Sequence, residues 1–276
     1  EALPYYIYAA KRASRSETNR RVIQHAKSAI SLIKTHGASF PDDATAALVY
    51  LLWGGALYSR GRFDDAKRQL LIASEHAQKS GDTRLSGNVD AALGRAYYRL
   101  GVLDIAERHL RSALRLCDRN SKELAAATRT LADILLQRGA LIESGKLWRR
   151  ALDVAMQVGK APDIARAKRG LAHLTILQGK LSAAATYLDE AEELLASGQD
   201  DPTRASILAR LIELDTIAGR FGAAIHRAAQ LTTLVDDSNV MNRHPQALSQ
   251  QATVLLKTGD LESAHKYASR AVLHAH

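Results

Sequence analysis

Apolar residues along this chain recur at helical spacing, and glycine interrupts them at a nearly constant interval. The interruptions read RGRFDDAKRQL at 60–70, LGVLDIAERHL at 100–110, RGALIESGKLW at 138–148, QGKLSAAATYL at 178–188, AGRFGAAIHRA at 218–228 and TGDLESAHKYA at 258–268. The glycines Gly61, Gly101, Gly139, Gly179, Gly219 and Gly259 stand 40, 38, 40, 40 and 40 residues apart. Two positions after each comes a bulky residue: Phe63, Leu103, Leu141, Leu181, Phe221 or Leu261. Five positions after each comes a small one: Ala66, Ala106, Ser144, Ala184, Ala224 or Ala264. Pro162 and Pro202 keep the same phase, and proline is tolerated in the first turn of a helix. Each repeat therefore predicts a helix of about fourteen residues, a glycine turn, a second helix and a linker such as SGD at 80–82, VGK at 158–160 or SGQDDP at 197–202.

Each position in the pattern has a physical reason. The glycine takes a left-handed conformation that ends the first helix. The bulky residue packs back over the turn, and the small one lets two antiparallel helices approach closely. Leu93, Gly94 and Tyr97 match Trp53, Gly54 and Leu57 one repeat earlier and form the other side of that contact.

The pattern resembles the tetratricopeptide repeat, most fully in LGRAYYRLGVLDIAERHLRSAL at 93–114. The period is 40 rather than the usual 34, which looks like the longer-helix members of that family. The resemblance implies an all-α, right-handed α-solenoid of antiparallel helix pairs. Six such repeats span 46–276 as one continuous solenoid. Residues 1–45 read as a degenerate N-terminal repeat or cap, with helices over 4–13 and 19–33 and Ala26 standing 40 before Ala66. The chain opens on Glu1 rather than Met, as a processed chain or an excised fragment would, and further repeats or a partner are expected to cover the ends.

Composition adds few aromatics, 5%, and a formal charge of +9, which directs attention to acidic partners. The longest nearly apolar run, AALVYLLWGGALY at 46–58, is too short to span a bilayer as a helix. With no targeting segment in view, a cytoplasmic location is expected, while export after removal of such a segment stays open. One cysteine, Cys117, rules out an intrachain disulfide framework.

Candidate chemistry is sparse. GALIESGKL at 139–147 has five residues between Gly and Gly-Lys where a phosphate loop has four, and it lies in a helix–turn–helix context. The histidines show no metal-ligand spacing, and His109 and Cys117, eight apart, are too distant for a nucleophile–base contact. Acidic pairs such as Asp64-Asp65, Glu192-Glu193 and Asp236-Asp237 fall at turns and helix ends. No catalytic residue, cofactor or metal is expected.

Function is then expected on a surface. In the tetratricopeptide family the first helices line a concave groove, and helical spacing assigns its residues. The first repeat offers an apolar face of Leu48, Leu51, Leu52, Gly55 and Tyr58. The next offer Asn88, Arg95 and Arg99, then Arg129, Asp133 and Gln137, then Arg166, Arg169 and His173. The last two offer Arg210 and Glu213, then Gln250, Thr253 and Lys257. Arginine suits carboxylates because its planar fork binds both oxygens. The expected occupant is a peptide or protein segment with acidic residues beside a hydrophobic anchor. Two simpler readings stand beside this: the arginines form salt bridges with Asp133, Glu213 and their neighbours, and the apolar face seats the helices of residues 4–33. A Lys/Asn clamp for a terminal carboxylate is unsupported, because Gly55 and Ala92 occupy the corresponding positions. The leading expectation is a non-enzymatic interaction scaffold within a multiprotein assembly. The alternative is a ligand- or peptide-gated module of a larger regulator. Nucleic-acid binding is disfavoured because the inward face of repeats two to six carries one aromatic residue, Tyr98.

Overall fold

The computed structural model describes residues 2–15, 19–36, 40–118, 121–195, 200–237 and 244–273, so part of the expected linker at 197–202 lies outside the described residues. Among the described residues there are fourteen helices and no strand. The chain forms two compact halves, Glu1–Gly139 and Ala140–His276.

The N-terminal half contains α1 (Ala2–Arg15), α2 (Asn19–His36), α3 (Asp43–Ser59), α4 (Phe63–Ser80), α5 (Thr83–Arg99), α6 (Leu103–Leu116) and α7 (Lys122–Gln137). The C-terminal half contains α8 (Leu141–Val158), α9 (Ala161–Leu177), α10 (Leu181–Glu193), α11 (Asp201–Ile217), α12 (Phe221–Asp237), α13 (His244–Lys257) and α14 (Leu261–Leu273). α4, α6, α10 and α12 each pack against the first helix of their own repeat and the first helix of the next, and α8 packs against α9. First helices of adjacent repeats also touch, α3 with α5 and α5 with α7, then α9 with α11 and α11 with α13. Within each half the first helices thus form one layer and the second helices the other.

The glycine turns are built as expected. Gly61, Gly101, Gly139, Gly179, Gly219 and Gly259 have φ between 73° and 84°. The residue after the glycine donates its N–H to a carbonyl five residues back: Arg62 to Leu57 at 3.0 Å, Val102 to Tyr97 at 3.0 Å, Arg220 to Asp215 at 2.8 Å. This paired arrangement satisfies carbonyls that the helix end leaves open. First helices start at side-chain caps: Asp42, Asp82, Ser121 and Asp200 each accept the N–H three residues on. Pro162 and Pro202 lie in the first turns of α9 and α11.

The small residues of the repeat are the places of closest approach. Ala66, Ala106, Ser144, Ala184 and Ala224 are fully buried. A Cβ added at Gly54 would meet Leu70 Cγ at 2.6 Å, and one at Gly94 would meet Leu110 Cγ at 2.6 Å. In the C-terminal half Trp148, fully buried, occupies the space beside Gly170. Residues before the first clear repeat form α1 and α2, which pack through Ile7, Val22, Ala26 and Ile30 onto Val49 and Ala56 of α3.

Candidate functional site

In the N-terminal half, α2, α3, α5 and the start of α7 enclose a groove of about 460 Å³. Leu48, Leu51, Leu52, Gly55, Ala91 and Ala92 make its apolar lining, and Asn19, Ser59, Asn88, Arg95, Lys122 and Glu123 its polar edge. Six of the expected residues, Leu48, Leu51, Leu52, Gly55, Asn88 and Arg95, meet here. The helices of 4–33 cover only part of the apolar face: they seat on Val49 and Ala56, while Leu48, Leu51 and Gly55 face the groove.

The polar edge is ordered from behind. Burial pushes the Cys117 thiol up to about 11, so it stays protonated at neutral pH. Its Sγ donates to Asn88 Oδ1 at 3.6 Å, which orients the amide. Cys117 is thus a small packed residue that positions a groove side chain. Tyr58 does not line the groove. It packs edge-on to Phe63 and supports the Arg95 guanidinium, 4.6 Å above its ring. Arg99 lies in the same way over Phe63, at 4.4 Å. Neither Arg95 nor Arg99 forms an ion pair among the described residues, and the buried Nε of Arg95 has no hydrogen-bond partner there. Arg129 and Asp133, four apart on α7, are half-buried and engaged with other groups.

In the C-terminal half Arg166 and Arg210 are held differently. Arg166 bonds Asp163 at 2.7 Å, Asp200 at 3.0 Å and Thr203 Oγ1 at 3.0 Å. Arg210 pairs with Glu213. Arg169 lies over the Trp148 ring at 5.6 Å. His173 sits near Arg169 and Arg210, and burial, then those two positive charges, push it down to about 3, so it is neutral at physiological pH. These expected contacts are largely internal to the protein.

Sequence reasoning missed Asp215, which is 1% exposed and paired with both Arg220 and Arg227. Its signal was present: four residues before the turn glycine, other repeats carry Leu57, Tyr97, Leu135, Thr175 or Leu255, and only here does an acid face an arginine next to the glycine. It also missed the repeated clasp in which His76 bonds Asp43 at 2.6 Å and stacks on Tyr50, and His109 bonds Asp90 at 2.8 Å and stacks on Tyr97.

The tetratricopeptide-repeat family model matches residues 123–197. Over those residues this chain carries tetratricopeptide repeats. No curated protein matches its sequence. Its fold is similar to that of a Rap protein complexed with competence and sporulation factor, 16% identical over 99% of this chain and 74% of that one, with a TM-score of 0.77. It is also similar to the Rap conjugation gene regulator of plasmid pLS20 in complex with a Phr peptide, 16% identical, covering 99% and 73%, with a TM-score of 0.74. A tetratricopeptide repeat protein from Parabacteroides merdae ATCC 43184 is 13% identical, covering 100% and 94%, with a TM-score of 0.65. At these identities the likeness is one of fold, an all-helical solenoid. Among the described residues no helix is long and apolar enough to cross a membrane.

Proposed function

We propose that this protein is a non-enzymatic interaction module that binds a peptide or an extended segment of a partner protein in the groove between α2, α3, α5 and α7. The observation that carries the reading is the groove itself, an apolar lining edged by Asn88, Arg95 and Lys122. An extended peptide offers backbone carbonyls to Asn88 and Arg95 and a side chain to Leu48, Leu51 and Leu52. The occupant is acidic, because the N-terminal half holds 22 Lys and Arg against 14 Asp and Glu. The solved structure of similar fold that holds a Phr peptide supports the peptide class.

The test is capture from a random peptide display library. Enrichment of acidic sequences by the wild-type chain, lost on Arg95→Glu with unchanged helicity, is the expected result. Equal enrichment by both proteins would move the binding surface elsewhere.

A second reading is a module whose peptide gates a larger regulator. It draws on the likeness in fold to a solved conjugation gene regulator. Small rotations per repeat add along a stack, so a bound peptide has a mechanical route to its ends. A scattering profile that changes when the captured peptide is added supports gating, and an unchanged profile leaves the scaffold.

A further inference from the structure

The double glycine at 54–55 stands in the interior of α3, where glycine costs about 1 kcal/mol relative to alanine. Gly54 has a packing reason, since any Cβ there would run into Leu70. Gly55 has none. A Cβ at Gly55 meets no atom within 4 Å, and its backbone is ordinary helix rather than left-handed. Gly222 is equally open, but it lies in the first turn of α12 on an exposed surface, where a glycine costs little. The other helical glycines among the described residues, Gly87, Gly94, Gly145 and Gly170, all crowd a neighbouring helix.

The repeat register sharpens the point. Six residues before each turn glycine stand Gly55, Arg95, Asp133, His173, Glu213 and Thr253. Five of the six carry a polar or charged side chain at this first-helix position, and the sixth carries nothing. The position without a side chain lies among the apolar lining of Leu48, Leu51 and Leu52, with Arg95 of the same column at the groove's polar edge.

We infer that Gly55 is the specificity-determining residue of this groove, left without a side chain so that a bulky apolar residue of an acidic peptide seats there. The inference rests on the peptide reading above and adds which side chain the peptide must bring. Two further observations identify the occupant as a peptide with acid beside its anchor. Arg95 reaches the groove edge with its guanidinium held over the Tyr58 ring and no carboxylate paired to it among the described residues, so its charge is left for a ligand carboxylate. Arg95 and Lys122 together face a single carboxylate at that edge, Glu123.

The experiment selects a random heptapeptide display library in parallel on the wild-type chain and on Gly55→Leu, followed by affinity measurements on the enriched peptides. The wild type is expected to enrich peptides with Leu, Phe or Trp close to Asp or Glu. Gly55→Leu is expected to weaken those peptides by about tenfold or more, since its side chain occupies the anchor space. It should change little for the same peptides with the anchor replaced by alanine, and that non-additivity distinguishes a shared pocket from general damage. Gly55→Ala serves as the folding control: it is expected to melt at or above the wild-type temperature while binding the bulky-anchor peptides less well. If both proteins enrich the same bulky-anchor peptides with equal affinity, the role of Gly55 is overturned and the peptide reading stands. If the wild type enriches no peptide, the peptide reading falls and this inference falls with it.

Discussion

In the N-terminal half Arg95 and Arg99 lie on the faces of Tyr58 and Phe63, whereas in the C-terminal half Arg166 and Arg210 end on Asp163, Asp200 and Glu213. Residues 1–139 carry a net charge of +8, with 22 Lys and Arg against 14 Asp and Glu. Residues 140–276 carry +1, with 16 against 15. The repeat plan is shared, but the chemistry of the first-helix layer is not. An aromatic partner holds a guanidinium in place through the ring quadrupole and leaves its charge unneutralised. A carboxylate partner fixes the same group and cancels it. The residue that neighbours each arginine therefore decides whether it serves the groove or the fold.

The shared plan is the easiest part of the comparison to break. Ala106→Trp in one half and Ala184→Trp in the other place a large ring where the helices touch at a fully buried alanine. Each is expected to lower unfolding free energy by about 3 kcal/mol or more. Denaturant titration of both variants should give similar losses. A much smaller loss for one would mean that half has room at its helix contacts.

The difference in chemistry is tested by exchanging charge. Arg95→Glu with Arg99→Glu is expected to reduce affinity for an acidic peptide by about tenfold or more with little change in melting, because these cations meet no carboxylate to lose. Arg166→Glu with Arg210→Glu should do the reverse. It places carboxylates against Asp163, Asp200 and Glu213, with a stability loss of about 1–2 kcal/mol and little effect on binding. Equal effects from the two pairs would erase the distinction between halves.

The turns, the close helix contacts and the order of helices were legible in the sequence because one repeat constrains them all. Gly61 and Ala66 recur since backbone φ and helix separation demand them, and repetition makes such demands visible. The groove was legible in part. Leu48, Leu52, Asn88 and Arg95 were placed together by helical spacing once the resemblance had said which helices line a groove. Tyr58 shares that helix but sits under Arg95 rather than in the lining, because the same spacing does not tell a groove face from the platform beneath Arg95. The fate of Arg166 was hidden for a different reason: Asp200 lies 34 residues away and precedes the next first helix, so only three-dimensional proximity pairs them. The limited cover that α1 and α2 give α3 depends on which side of α3 they seat against, which a hydrophobic pattern around nearly the whole helix cannot specify.

The finest distinction between the halves is one of proton linkage. His173 stands in the column that holds Gly55 and Arg95 in the other half. It is pushed from 6.5 down to about 3 by burial and by the charges of Arg210 and Arg169. In the unfolded chain it takes up a proton near 6.5, whereas the folded chain resists until about 3. Its contribution to stability is therefore complete above about 6.5 and is lost as pH falls toward 3. The two tryptophans report separately, Trp53 on the N-terminal half and Trp148 on the other. In a Trp53→Phe background, the denaturation midpoint read from Trp148 fluorescence should fall as pH is lowered from 7 to 5. His173→Gln should flatten that slope, since glutamine has no proton to gain. An unchanged slope would mean that His173 is hydrated and titrates alike in both states, and that the inner face of the C-terminal half is open to water at this position, as the groove of the other half is at Gly55.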